Sequence, residues 1–453
     1  MDTYDEIYSV SDLHLGGEGS GAQIFDSGSL LADTIRLVAD RAGAGKRVAL
    51  VLNGDIVDFL AEPGARYFDA VGAPAKLARI AADPAFAPVF TALAELTARE
   101  RARLVLVLGN HDVELALPAV RDVLLSLVAK SDAAAGRVRI AMDGTGYACS
   151  AGGASTYFVH GNDVDPWNPV DQSALRRAIT ASNTASTIAP WEPNGGTQLV
   201  VDVMNGVKAR YPFVDLLKPE SKPLFAILLA LDPGLVGKLG GIAKAWLTRQ
   251  RTAPRLEGAL ESVSGLEALE TDAELTEDRA LAILLEDLAP AAQEAALEVV
   301  RVFGVVDLRK ALVKWLRGDR TFDPSAEDDQ FRALDARVGA HVRFVVTGHT
   351  HLCRAIKRKN GGAYFDSGTW ARLIGLTGAM LADDPSFEPV FGALGKGTMA
   401  ALDAFPDLVR RRPTVVCLAP DGAGQVFGEL RIAKRGPDGV TLEPLAGTRL
   451  PAA

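Results

Sequence analysis

Ile7-Tyr8-Ser9-Val10-Ser11-Asp12-Leu13-His14-Leu15-Gly16 is the stretch on which the reading of this chain turns. The run Ile7-Tyr8-Ser9-Val10 is apolar enough for a buried strand, and Asp12 and His14 follow where that strand ends. In extended backbone, residues two apart point the same way, so carboxylate and imidazole are expected to project together from the strand's carboxyl end. Such a pair suits a divalent metal of borderline softness. A buried Asp–His hydrogen bond or a polar turn fits the same residues, so the rest of the chain has to decide.

The pattern recurs downstream. Residues 48–53, 104–108, 138–142 and 156–159 are further apolar runs. Between them, 30–42 carries Leu31, Ile35, Val38 and Ala39 at helical spacing, and 89–99 and 120–130 read as helices. Buried runs alternating with amphipathic helices imply a layered α/β fold. The strand ends share a chemistry: Asn53-Gly54-Asp55-Ile56-Val57-Asp58, Gly109-Asn110-His111-Asp112, His160-Gly161-Asn162-Asp163 and Gly348-His349-Thr350-His351. Ligands of open α/β sheets sit just beyond the carboxyl ends of strands, so these residues are expected along one edge. The chain has six histidines, and His14, His111, His160, His349 and His351 all follow apolar runs, leaving only His341 elsewhere. Gly54, Gly109, Gly161 and Gly348 are expected to let the backbone turn where these side chains converge.

Composition narrows the partners. The net charge of −9 over 453 residues argues against broad nucleic-acid binding, which needs Lys and Arg against phosphate. Cys149, Cys353 and Cys417 lack metal-ligand spacing and read as reduced thiols of a cytoplasmic protein. The start, Met1-Asp2-Thr3-Tyr4-Asp5-Glu6, is acidic and has no signal-peptide apolar region. The apolar segment from Leu224 to Leu247 is interrupted by Asp232-Pro233-Gly234, Lys238, Gly240-Gly241 and Lys244. No part of it reaches the ~20 apolar residues of a spanning helix. It reads as two helices about a Pro-Gly turn, with membrane-surface contact left open.

Domain organisation follows from a change of character near residue 161. Residues 162–223 are rich in proline and read as an ordered excursion, 256–300 are Ala-, Leu- and Glu-rich and read as helix, and 306–317 is amphipathic. A core in two parts, 1–160 and 341–453, is therefore expected around a mainly helical insertion or cap over 161–340. Strands resume at 342–346 and 363–366, a helix is read over 399–410, and 414–418 and 425–433 flank Asp421-Gly422 as a hairpin before a last strand at 440–444.

The motifs D-x-H, G-D-x-x-D, G-N-H-D, H-G and G-H-T-H, in that order, resemble those of the calcineurin-like metallophosphoesterases over residues 5–160 and 342–372. The resemblance implies a four-layer αββα β-sandwich and two adjacent divalent ions, manganese first, with iron, zinc or magnesium as alternatives. By the same resemblance Asp12, His14 and His351 hold one ion, Asn110, His160 and His349 the other, and Asp55 bridges them. His111 would protonate or stabilise the leaving oxygen, with Asp112 orienting its imidazole. For Asp58, support behind the ions, a helix cap and direct ligation stay open. Asn162 and Asp163 depart from the family pattern, in which His or Asp often follows H-G. Phe365 to Trp370 is read as a strand and turn beneath the site.

The function implied is hydrolysis of a phosphoester or pyrophosphate by a metal-bridging hydroxide. The chain also resembles the UDP-2,3-diacylglucosamine pyrophosphohydrolases in its short lead and its insertion before G-H-T-H, which implies a lipid-linked nucleotide substrate as the alternative to a soluble phosphorylated molecule. The basic faces 238–255 and 309–320 are candidates for holding the anionic remainder of a substrate, and as plain solvated faces they need no ligand. A nuclease and a non-catalytic protein-binding scaffold complete the alternatives. The full set of ligands and His111 argue against the scaffold.

Overall fold

Three of the apolar runs, Glu6–Val10, Val48–Asn53 and Ala102–Val107, lie side by side and parallel, with Ile7 opposite Ala49 and Val51 opposite Val105. Their alternation sorts side chains onto two faces. Tyr8, Val10, Leu50, Leu52, Leu104 and Leu106 join one buried cluster, and Ile7, Ala49, Val51, Val105 and Val107 join another. A strand buried on both faces has to be covered twice, and that requirement builds the layers.

The computed structural model describes residues 1–18, 23–219, 222–235 and 305–452, with single positions between 237 and 280. Its chain forms two units: Met1–Thr197 with Phe322–Arg372 and Arg411–Ala453, and Gln198–Thr321 with Leu373–Arg410.

In the first unit, the larger sheet has the order Gly439–Pro444, Val426–Gly436, Thr414–Pro420, Glu6–Val10, Val48–Asn53, Ala102–Val107 and Val138–Ala141, and Leu450–Pro451 pairs beside Val426–Gly436. The expected hairpin is present, Val416 opposite Leu430, and its first strand runs antiparallel to Glu6–Val10. The smaller sheet has the order Asp2–Tyr4, Tyr147–Ala151, Ala154–Phe158, Phe344–Thr347, Ala363–Ser367 and Cys353–Lys357. Between the sheets Ile7, Val51 and Val105 meet Phe158, Phe344, Val346 and Phe365. Full burial of each such side chain stabilises the fold by roughly 1.5–3 kcal/mol. Helices Gly28–Gly43, Ala73–Ala82, Ala87–Ala98 and Pro118–Val128 cover the outer face of the larger sheet through Leu31, Ile35, Leu77, Ile80, Val89, Leu93, Val120 and Leu124. Helix Asp329–Arg337 covers the smaller sheet, Phe331 and Leu334 against Val345, Ile356 and Tyr364. The order is therefore helix, sheet, sheet, helix, the αββα sandwich.

Several expectations change. The first unit keeps residues 161–197 and 322–340 and lacks 373–410, whereas the sequence places boundaries at 160 and 341. The reason is packing: Ala178 of helix Gln172–Asn183 belongs to the larger sheet's cluster, and Asp329–Arg337 is the smaller sheet's cover. The helix read over 399–410 stops at Asp403. Pro406 disfavours helical backbone at Phe405, and Val409–Arg410 pairs with Leu373–Ile374 instead.

The second unit is mainly helical among its described residues, with Lys222–Leu231, Val305–Trp315 and Asp384–Gly395 as its longer helices. Ala226, Ile227, Leu228 and Leu229, at the described start of the apolar segment 224–247, are buried. Arg309, part of a basic face, is engaged by Asp384 and the Leu381 carbonyl. The helix read over 256–300 and the basic face 238–255 lie outside the described residues, apart from single positions. No single described helix is long and apolar enough to cross a membrane.

Asn53 ties the two sheets together. Its Nδ2 donates to the carbonyls of Val159 at 3.1 Å and Val346 at 3.2 Å, the last turns of two smaller-sheet strands. Asn53→Ala should keep the secondary structure and lower unfolding stability by about 1–3 kcal/mol, since two buried carbonyls lose a donor. Urea denaturation followed by circular dichroism measures this, and a loss below about 0.5 kcal/mol would show that these bonds do not tie the sheets.

Candidate metal centre

The functional side chains stand at the carboxyl ends of strands in both sheets. Glu6–Val10, Val48–Asn53 and Ala102–Val107 of the larger sheet lead to Asp12 and His14, to Asp55 and Asp58, and to Asn110 and His111. Ala154–Phe158 and Phe344–Thr347, parallel neighbours in the smaller sheet, lead to His160 and to His349 and His351. The expectation of one edge thus becomes two edges facing each other across the sandwich.

The backbone there is not extended. Asp12, His14, Asp55, His349 and His351 have φ of 52°, 48°, 51°, 77° and 63°, the left-handed region, where the only other described non-glycine is Ala185. Asp12 and His14 therefore converge through a twisted loop and not by strand alternation. Hydrogen bonds between loops hold it: Asp12 N–H to Gly54 O at 3.1 Å, His14 N–H to Asp55 O at 2.9 Å and Leu15 N–H to Ile56 O at 3.0 Å. The Asp12 carboxylate accepts from His349 N–H at 3.0 Å and from the Ser11 hydroxyl, and Thr369 Oγ1 donates to the Asp12 carbonyl at 2.6 Å. Trp370, expected beneath the site, is buried with its indole on Thr414 O at 2.8 Å.

Glycine serves two needs here. Gly54 has φ of 90°, and a Cβ on it would lie 2.2 Å from His160 Nδ1. Gly109 is not left-handed. It is needed for space, since a Cβ there would fall 2.1 Å from Asp55 Oδ1.

The carboxylates and imidazoles assemble into three groups: Asp12, His14 and His351; Asp55, His160 and His349; and His14, Asp58 and His111. Asp55 Oδ2 lies 3.1 Å from His160 Nε2 and 3.9 Å from His14 Nε2, between the first two groups. His14 Nε2 and His351 Nε2 face each other at 3.0 Å, and His351 Nε2 is 3.6 Å from Asp12 Oδ1. Asn110 is buried in the same loop as His111, whose N–H donates to Asp55 Oδ1 at 2.9 Å.

This donor set fits divalent cations. Asn110 Oδ1 is buried with no hydrogen-bond partner, a costly state for a carbonyl that an ion relieves. His160 donates Nδ1–H to Asn53 O at 2.8 Å, which turns its Nε2 lone pair toward Asp55. Two lone-pair atoms that close require a cation. Burial opposes charging of His160, but Asp55 and Asp12 outweigh it and raise the pKa to about 10. Asp12 is pushed up by burial and by the Asp55 charge. Oxygen and imidazole donors without cysteine exclude a site built for soft ions.

Asp58, and not Asp112, holds the His111 imidazole. Asp112 does not orient His111; its carboxylate accepts the Ile56 N–H at 2.8 Å and the Gly109 N–H at 2.7 Å and clamps two loops. A 3₁₀ turn, Val113–Ala116, begins directly after it and directs it back into the protein. Asp58 instead sits 3.2 Å from His111 Nδ1 through Oδ1 and 3.2 Å from His14 Nδ1 through Oδ2, while Oδ1 also accepts from Leu60 and Ala61 N–H. The His111 side chain is 19 % exposed, against 3 % for His14, 1 % for His160, 12 % for His349 and 15 % for His351. Burial opposes its charging, but Asp58 and Asp55 raise its pKa to about 9.

Two supporting residues escaped the sequence reading. Asp165 Oδ2 lies 2.9 Å from His349 Nε2, and Gln330 Nε2 donates to Gly348 O at 2.8 Å. Both lie in the stretch read as insertion. The departure at Asn162 and Asp163 was the available signal for Asp165, because it left the position after H-G without the usual partner.

A family model described as calcineurin-like phosphoesterase matches residues 6–204. Comparison with curated proteins and with solved structures gave no match.

Gly109→Ala should leave the fold intact and displace Asp55. Metal analysis after loading is expected to find bound ion reduced by half or more, with an unchanged circular dichroism spectrum. Full metal content in that variant would show that Asp55 tolerates displacement.

Proposed function

We propose that this chain, whose residues 6–204 match the calcineurin-like phosphoesterase family model, hydrolyses a phosphate ester or pyrophosphate bond with two divalent ions. The observation that carries this reading is the position of Asp55, 3.1 Å from His160 Nε2 and 3.9 Å from His14 Nε2. Asp12, His14 and His351 would hold one ion, Asn110, His160 and His349 the other, with Asp55 shared. When bound, such a pair polarises phosphoryl oxygens and lowers the pKa of a shared water. Manganese is the first choice for carboxylate, imidazole and amide oxygen donors, ahead of iron, zinc and magnesium.

The chain's own residues supply the rest. Asp58 fixes Nδ1 of His111, which leaves Nε2 to donate a proton to the departing oxygen. The same carboxylate fixes Nδ1 of His14, which leaves its Nε2 for the ion. Asp112 keeps the Gly109 and Ile56 loops together, so Asp55 and Asn110 stay in register. The substrate is a phosphorylated molecule.

Protein loaded with Mn²⁺ should turn over at least one of bis-p-nitrophenyl phosphate, p-nitrophenyl phosphate and a soluble nucleotide pyrophosphate. EDTA should stop it and Mn²⁺ restore it. Folded, metal-loaded protein inactive on all three with each of the four metals would sink the proposal. Asp55→Asn is expected to lose both ions by metal analysis, since one carboxylate serves two. His111→Ala should keep both and lose about a hundredfold or more in kcat.

A further inference from the structure

The loop that carries His349 is held from the far side by a carboxylate outside the recognised motifs. Asp165 Oδ2 lies 2.9 Å from His349 Nε2. The carboxylate is itself fixed: Oδ1 accepts the Trp167 N–H at 2.8 Å and Oδ2 the Asn168 Nδ2 at 2.6 Å. Asn168 in turn accepts from Asn162 Nδ2 at 2.9 Å through its carbonyl. Asp163, the carboxylate nearer the H-G pair, is exposed.

From this geometry we infer that Asp165 is the positioning residue of the ion site formed by Asn110, His160 and His349, an inference that rests on the two-ion reading above. A carboxylate accepts and does not donate, so the proton of neutral His349 sits on Nε2 and the lone pair on Nδ1. His349 N–H is meanwhile anchored on the Asp12 carboxylate at 3.0 Å. With backbone and Nε2 both held, Nδ1 is the one atom that the ring can offer an ion. Partners of this kind typically govern metal affinity by about 10- to 100-fold. Coupling runs both ways: the turn from 163 to 168 aids ion binding, so ion binding must order that turn.

Two observations on the full-length protein test this. Calorimetric titration of the metal-free protein with Mn²⁺ should show two ions on the wild type. In Asp165→Ala one of them should weaken by about 10- to 100-fold while the other stays within twofold. Asp165→Asn, whose amide oxygen still accepts from Nε2, should recover part of that loss. Asp163→Ala should bind as wild type does. Hydrogen exchange should find the 163–168 amides slowed by Mn²⁺ in the wild type and not in Asp165→Ala. Equal weakening of both ions, or wild-type binding of both by Asp165→Ala, overturns the inference and leaves the two-ion reading standing. A wild-type protein that takes up no ion sinks both.

Discussion

Buried oxygen and nitrogen acceptors crowded at one place repel, and the structure solves this by making them accept from each other's loops. Asp55 takes the His111 N–H, Asp12 takes the His349 N–H, and Asp112 takes those of Ile56 and Gly109. Hydrogen bonds to charged groups contribute about 1.5–3 kcal/mol each. A left-handed non-glycine residue costs on the order of 1–2 kcal/mol. The two magnitudes are comparable, so five left-handed residues persist only while the loops stay laced. What the lacing leaves unsatisfied, Asn110 Oδ1 above all, is the chemistry for which the loops are arranged.

The sandwich makes that lacing feasible. Strands buried on both faces fix the height at which each chain leaves its sheet, and Asn53 locks the two sheets at that height by reaching Val159 and Val346. His160 then returns the contact by donating to the Asn53 carbonyl. One asparagine thus sets both the spacing of the sheets and the tautomer of a candidate ligand. The requirement for space at Gly109 follows from the same closeness, because Asp55 occupies the volume that a side chain there would fill.

Much of this was legible in the sequence, for a physical reason. Short apolar runs that end in Asp, Asn or His show both the layer and the edge, so the strands Val48–Asn53 and Gly439–Pro444 were read closely and the candidate ligands were placed together. What was missed depends on partners distant in sequence. Cys353–Lys357 did not read as a strand because Arg354 breaks its apolar pattern, yet Arg354 is buried on Asp328 at 2.9 Å. Adjacency in sequence pairs Asp112 with His111, while its partners Ile56 and Gly109 come from two loops. Left-handed backbone at Asp12 and His14 is a tertiary product, since neither residue type prefers it strongly enough to announce it.

Asp58 shows why roles in such a site resist division by residue. One oxygen holds His111, the group nearest solvent, and the other holds His14, a buried candidate ligand. The two rings stand edge to face with centroids 4.8 Å apart, so each limits where the other can turn. Any shift of the carboxylate toward one imidazole lengthens its contact with the other. In the proposed mechanism, ion binding at His14 and proton donation from His111 would be coupled through a single side chain, itself pinned by the Leu60 and Ala61 amides. Removing Asp58 would loosen both at once, and the losses from Asp58, His14 and His111 cannot be additive.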